Sequence, residues 1–282
     1  MNFSNQNIFI QVKDHSISKE HFELLLDEDL QLLKTEPQPS LDVLPKYYES
    51  KNYISHTDGK RSLFEKLYQI IKSYSLNKKV ILINMYHPQK GCLLDIGSGT
   101  GDFLATAKNA DWKITGIEPN EKAKAISISK GVSCVENLES LANSSFDVIT
   151  MWHVLEHVPN VEQQILELKR LLKPDGTIII AVPNFKSYDA KHYKEFWAAY
   201  DVPRHLWHFS KIAIEKLFDM QNLKLIKTLP MIFDSYYVSL LSEKYKTGKM
   251  NFFKAFYIGF ISNRKAKQTL EYSSHIYILK NN

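Results

Sequence analysis

The segment Leu93-Leu94-Asp95-Ile96-Gly97-Ser98-Gly99-Thr100-Gly101-Asp102-Phe103 gathers residue types suited to holding a ligand. An apolar run leads into three glycines at alternate positions. Glycine there lets the backbone approach a ligand and adopt dihedrals closed to other residues. Asp95, two residues before the first glycine, would repel a pyrophosphate but accepts hydrogen bonds from an α-ammonium group. About twenty residues further on, Glu118 in Gly116-Ile117-Glu118-Pro119-Asn120 is placed to accept from both hydroxyls of a ribose. Together these residues predict a nucleoside carrying a zwitterionic amino-acid tail. The spacing differs from the dinucleotide fingerprint G-x-G-x-x-G, which with Asp95 disfavours a NAD-dependent oxidoreductase.

A second set is rich in histidine. His153 and His157 stand four apart in Trp152-His153-Val154-Leu155-Glu156-His157, and would share a face if that turn is helical. Either could act as a general base; both could instead fix the loop by hydrogen bonds. H-x-x-x-H without a placed carboxylate does not define a metal site, and no metal is expected. In the aromatic stretch 196–209, Arg204, His205 and His208 could clamp a planar or anionic acceptor, since guanidinium pairs well with carboxylate and phosphate. Packing of a cap would explain the same aromatics.

Positioning these residues requires an alternation of strands and helices. Short apolar runs at 92–96, 113–117, 132–135, 146–151 and 177–182 read as strands, and 102–109, 121–129 and 161–172 as the helices between them. Such alternation predicts an α/β fold built on a mostly parallel sheet with helices on both faces. A helix at 211–220 and strands at 224–228 and 275–279 continue it. Helical, aromatic insertions at about 183–209 and 230–272 interrupt the second half, beyond the strand ends where ligands bind in open sheets. The later insertion, with Tyr236, Tyr237, Phe252, Phe253, Phe256 and Tyr257, reads as helical core; an apolar lid and a homodimer contact are the other readings. Residues 1–61 form a polar, irregular head broken by Pro37, Pro39 and Pro45, and residues 62–282 the main domain. From Ser62, Leu63, Leu67, Ile70, Ile71 and Tyr74 recur at helical spacing and predict a helix packed on the core.

The blocks LLDIGSGTGDFL, GIEPN, FDVITMWHVLEHV and LLKPDGTIIIAVPN, in that order, resemble class I S-adenosylmethionine-dependent methyltransferases, and within them the ubiquinone-biosynthesis O-methyltransferase subgroup. The resemblance implies a Rossmann-like seven-stranded sheet and S-adenosylmethionine as cofactor. It assigns the methionine part to Asp95, Gly97, Ser98, Gly99 and Gly101, the ribose to Glu118 and Pro119, and the adenine border to Asn137 and Leu138. Trp152 and His153 would stand beside the methyl donor. The head resembles relatives in which two Cys-x-x-Cys pairs form a zinc ribbon ahead of Tyr-Tyr-x-Ser-x-x-Tyr. This chain has Tyr47, Tyr48, Ser50 and Tyr53 without the cysteine pairs, so no zinc is expected.

The implied activity is methyl transfer to a small-molecule acceptor at oxygen. A macromolecular acceptor is the alternative, disfavoured by MWHVLEH in place of Asn/Asp-Pro-Pro-Tyr/Phe; a non-catalytic cofactor-binding module is another. The net charge of +5 is spread along the chain, so no nucleic-acid partner is expected. The longest aromatic-aliphatic stretch is too short to span a membrane. With no secretory pattern in the first ten residues, a cytoplasmic protein is expected. Cys92 and Cys134 read as reduced thiols in strands.

Overall fold

The computed structural model describes residues 1, 3, 7–48 and 63–282. Ser50 and Tyr53 of the tyrosine stretch, and the boundary expected at 61/62, lie outside them. In chain order come β1 (Ile8–Lys13), β2 (His21–Asp27), β3 (Leu32–Glu36), α1 (Leu63–Tyr86), β4 (Cys92–Ile96), α2 (Asp102–Lys108), β5 (Lys113–Ile117), α3 (Glu121–Ser129) and β6 (Ser133–Val135). There follow β7 (Phe146–Trp152), α4 (Val161–Leu171), β8 (Leu172–Pro183), α5 (Tyr188–Tyr193), β9 (Trp207–His208), α6 (Lys211–Asp219), β10 (Leu223–Pro230), α7 (Asp234–Thr247), α8 (Phe252–Thr269) and β11 (Ser274–Asn281). One sheet has the order β1-β2-β3-β9; the other, seven-stranded and mostly parallel, has the order β10-β11-β8-β7-β4-β5-β6. The fold is the expected Rossmann-like α/β arrangement.

The chain divides into two compact units. One comprises Met1–Tyr53, His153–Glu162 and Ile180–Tyr277, the other Ile54–Trp152, Gln163–Ile179 and Ile278–Asn282.

In the first unit, the head is an antiparallel sheet and not the irregular segment its polarity suggested. Ile10 pairs with Leu24 and Val12 with Phe22, while Leu26 pairs with Leu33. Val12, Phe22, Leu24 and Leu33 are buried with Phe185, Tyr193, Trp197, Tyr200, Val202, Val238 and Ile258 in one core. Polar residues conceal these strands because they close the turns. Asp14 accepts from the backbone N–H groups of Ser16, Ile17 and Ser18, and Asp27 from that of Leu30. β3 then pairs antiparallel with β9, Leu33 opposite His208.

The second unit centres on β4, which runs parallel to both β5 and β7 and sets Asp95 opposite Gly116 and Thr150. Leu93, Leu94, Val148 and Ile149 are buried on these strands, as runs covered on both faces require. α1 continues well past Tyr74, and its packed face is not the predicted one. Ile70, Ile71 and Tyr74 are exposed, whereas Val80, Leu82 and Ile83 are buried, and the side chains of Leu63 and Leu67 are outside the described residues.

The insertions are helical, and the second corrects the core reading of its aromatics. α8 buries Ala255, Ile258, Gly259, Ser262, Asn263 and Ala266, while Phe252, Phe253, Phe256 and Tyr257 are exposed. Small residues sustain the contact with α7: a Cβ at Gly259 would lie 2.8 Å from the Tyr236 ring.

Leu33→Ala should lower stability by about 2–5 kcal/mol, the range for deleting a buried leucine from a packed core, in urea unfolding. An effect within about 0.5 kcal/mol, as at a surface position, would contradict a sheet built into the core.

Candidate active site

At the end of β4 the backbone turns through Gly97 (φ 70°) and Gly99 (φ 54°) into α2. Gly97 and Ser98 donate to the Ile117 carbonyl, at 2.8 and 2.9 Å. Gly99 N–H donates to Glu118 Oε2 and Asn120 N–H to Glu118 Oε1, each at 2.8 Å. Glu118 thus ties the glycine turn to the end of β5, and Pro119 follows it, exposed. A Cβ at Gly99 would meet nothing within 4 Å, so its conformation, beside open space, is what calls for glycine. Gly101 has a different reason, since a Cβ there would lie 2.4 Å from Ser127 Oγ and 3.0 Å from Ser127 Cα, where α3 packs.

Asp95 is 2% exposed and accepts from Thr150 Oγ1 at 2.6 Å. Burial pushes its carboxyl up to about 7, against the Thr150 hydrogen bond and the positive charge of Lys79. Lys79, on α1, was not singled out from sequence. Its Nζ lies 4.2 Å from the Trp152 ring centroid and 5.8 Å from that of Phe103. Trp152 Nε1 and Ser98 Oγ are buried without a hydrogen-bond partner among the described residues. A buried carboxylate, an open glycine turn and two unsatisfied polar atoms are what a polar ligand would complete.

Asn137 and Leu138 lie in a turn held from α4. Arg170 donates to the Leu138 and Leu141 carbonyls at 2.9 and 2.8 Å and is itself paired with Glu167. Asn137 Oδ1 accepts from Ser140 N–H. A lone arginine on a helix gave no sequence signal for this role.

The histidines belong to the first unit. His153 has φ 57° and its N–H donates to the Ala181 carbonyl, so it does not share a helical face with His157; only a 3₁₀ turn, Leu155–His157, follows. Its Nδ1 is 3.3 Å from Glu156 Oε1 and its Nε2 3.1 Å from Asp234 Oδ2. Burial acts to lower the His153 pKa, but the two carboxylates outweigh it and raise it to about 10. His153 is therefore an imidazolium at neutral pH, with both nitrogens protonated and each paired with a carboxylate. His157 Nδ1 lies 2.9 Å from the Arg204 carbonyl and 3.0 Å from Tyr48 Oη. A carbonyl only accepts, so Nδ1 carries a proton, and the lone pair of the neutral tautomer falls on Nε2.

Arg204, His205 and His208 are buried. Arg204 donates to Asp201 through Nε and Nη2, to Asp14 through Nη2, and to the Tyr47 carbonyl through Nη1. His205 Nδ1 is 2.8 Å from the Ala199 carbonyl, and burial lowers its pKa to about 4. His208 Nε2 is 3.0 Å from Thr35 Oγ1, and burial lowers its pKa well below the usual histidine value. In place of a clamp for an acceptor, the three form the interior of a packed cap.

Glu156, His157 and His205 offer ligand atoms within 4.8 Å of one another, a spacing one metal ion could bridge. The spacing of His153 and His157 could not reveal this group, because His205 comes from a distant segment. The His153 imidazolium already balances buried Glu156, whose carboxyl it holds below the usual range against the effect of burial.

Residues 68–228 match the family model described as a methyltransferase domain. The chain belongs to that family. It is 30% identical over 145 residues to a ubiquinone biosynthesis O-methyltransferase of Rickettsia akari, covering 46% of this chain and 57% of that protein. The enzyme of that name from Actinobacillus pleuropneumoniae serotype 5b is 34% identical over 106 residues, 33% of this chain and 45% of that one. The chain thus spans about half the length of the curated relatives it matches. Magnesium protoporphyrin IX methyltransferase from Synechocystis PCC 6803, solved with bound SAH, shares the fold with a TM-score of 0.53 at 14% identity, covering 86% of this chain and 94% of that one. The methyltransferase family is S-adenosylmethionine-dependent, and the glycine turn with Asp95 and Glu118 has the donor and acceptor set for that cofactor.

A histidine whose pKa is raised by folding stabilises most below its unfolded value of 6.5 and loses that contribution as pH rises towards about 10. The stability gap between the wild type and His153→Asn, which tolerates a positive φ, should be widest near pH 6 (about half a unit below the unfolded pKa) and narrow towards pH 10. A pH-independent gap in denaturant melts would refute the paired imidazolium.

Proposed function

We propose that this chain transfers a methyl group from S-adenosylmethionine to a small-molecule acceptor, at oxygen. The observation that carries the reading is the buried Asp95 beside the glycine turn, with Glu118 at the neighbouring strand end. Asp95 holds the α-ammonium, while Gly97, Ser98, Gly99 and Gly101 give the backbone room for the methionine part. Glu118 and Pro119 take the ribose, Asn137 and Leu138 border the adenine, and Trp152 contributes its unsatisfied indole N–H. His153, which follows Trp152 in the chain, is a fixed imidazolium. When bound, the cofactor would supply an electrophilic methyl on a sulfonium, passed in line to the acceptor as the S–CH3 bond breaks and the thioether leaves, so the protein's task is alignment and exclusion of water.

A hydroxyl acceptor must also lose its proton. His157 is better suited to take it than His153, because its neutral tautomer has a lone pair on Nε2 while both nitrogens of His153 are protonated and paired with carboxylates. The names of the relatives support oxygen as the site and a small acceptor.

Methyl-labelled S-adenosylmethionine with the protein and a cell extract, followed by mass spectrometry, should place label in a discrete metabolite. Label confined to protein or nucleic acid would replace the small acceptor with a macromolecule, and cofactor binding without labelling of any acceptor would point to a binding module.

Asp95→Asn should weaken cofactor binding at least tenfold in calorimetry, as for loss of a hydrogen bond to a charged group. With the Asp95 carboxyl at about 7, the wild-type Kd should rise about tenfold per unit as pH falls below that value and flatten above it. A wild-type Kd without this dependence would remove Asp95 from the ammonium site. His157→Gln should lower kcat by about 10²–10⁴ at unchanged cofactor Kd; an unchanged kcat would exclude it as the base.

A further inference from the structure

The exposed face of the α7–α8 hairpin carries a second chemistry. Because the small residues of α8 face α7, its large side chains lie at the outside of the hairpin, Phe256 stacked on Tyr236 of α7 with ring centroids 5.0 Å apart. At 100° per residue Phe252, Phe253, Phe256, Tyr257 and Phe260 fall within an arc of about 140°. They are 48–93% exposed, Phe253 the most. Met250, at the approach to the helix, is exposed beside them.

Charge surrounds this face. Residues 244–270 contain seven lysines and arginines and no aspartate or glutamate, although the whole chain has a net charge of only +5. All seven are exposed. Lys254 pairs with Glu243 at 3.1 Å and Lys265 lies 4.0 Å from the Tyr188 ring centroid. Lys246 and Lys249 flank the start of α8, and Arg264 and Lys267 extend the aromatic arc towards its end.

A second copy docking this face about a twofold axis would set six cations and the Glu243-paired Lys254 against the same set, with no acid in residues 244–270 to answer them. Rings spread along a convex helix and ringed by cations match the boundary between anionic headgroups and acyl chains, where rings enter the apolar layer and lysines reach the phosphates. Among the described residues no helix is long and apolar enough to cross a membrane, so the contact is one of lying on the surface. We propose that the α7–α8 hairpin binds an anionic lipid surface through Phe252, Phe253, Phe256, Tyr257 and Phe260 and the basic residues around them.

The test is co-sedimentation of the full chain with vesicles of phosphatidylcholine alone or containing about 30% phosphatidylglycerol. The protein should sediment with the anionic vesicles, at least about tenfold less with the neutral ones, and less as salt rises. Phe253→Ser with Phe256→Ser, and separately Lys246→Glu with Lys249→Glu, should each reduce binding at least about tenfold. Circular dichroism and cofactor binding of each variant should match the wild type. Protein left in solution with anionic vesicles overturns the proposal, and so does equal binding to neutral ones or wild-type sedimentation of either variant. A dimer seen by light scattering and abolished by the serine pair would assign the face to a second copy instead.

Discussion

The guanidinium of Arg204 is the fixed point of the first unit. It is 2% exposed and reaches Asp14 in the turn after β1, the Tyr47 carbonyl beyond the head meander, and Asp201 in its own loop. Removing one partner of such a buried pair typically costs about 3–5 kcal/mol, because the remaining charge is left uncompensated. The surroundings hold both carboxylates ionised: burial would raise their pKa values, and the contact with Arg204 lowers them. The Arg204 carbonyl in turn sets the tautomer of His157, so the same residue joins the packing of the head to the chemistry of the histidine turn.

That turn is shaped by backbone before side chains. The left-handed conformation of His153 aims its ring between Glu156 and Asp234, and a hydrogen bond to the Ala181 carbonyl holds the peptide there. Two histidines four residues apart thereby acquire different characters, one a cation between two carboxylates and the other held through Nδ1 by the Arg204 carbonyl. In the second unit Asp95 is buried, with Thr150 as its hydrogen-bond donor.

The α/β core was legible because its signals are local. Apolar runs predicted β4 and β5 at their observed bounds, and α3 likewise, since strand and helix periodicities need only a few residues to declare themselves. The glycine turn was equally legible from Asp95 to Asp102. What escaped depends on residues far apart. Asp14 and Asp27 close turns with carboxylates, which made the head look irregular. Arg204, His205 and His208 looked available until their partners at Asp14, Ala199 and Thr35 were seen. Asp234 meets His153 from 81 residues away, and Lys79 reaches Trp152 only because α1 extends beyond the predicted amphipathic stretch. The aromatics of α8 were read as core because periodicity does not say which face the neighbouring helix takes.

The head also constrains the order in which the protein can be made. Its three strands leave the ribosome well before the residues that cover Val12, Phe22, Leu24 and Leu33, which begin at Phe185 and run to Ile258. The ion pair between Asp14 and Arg204 closes a loop of 190 residues. During synthesis the nascent sheet must wait with its apolar side uncovered while most of the chain is translated. Contacts of such sequence separation slow folding and prolong the exposure of unpaired strand edges. Early release from the ribosome would therefore leave a meander with no core to close on.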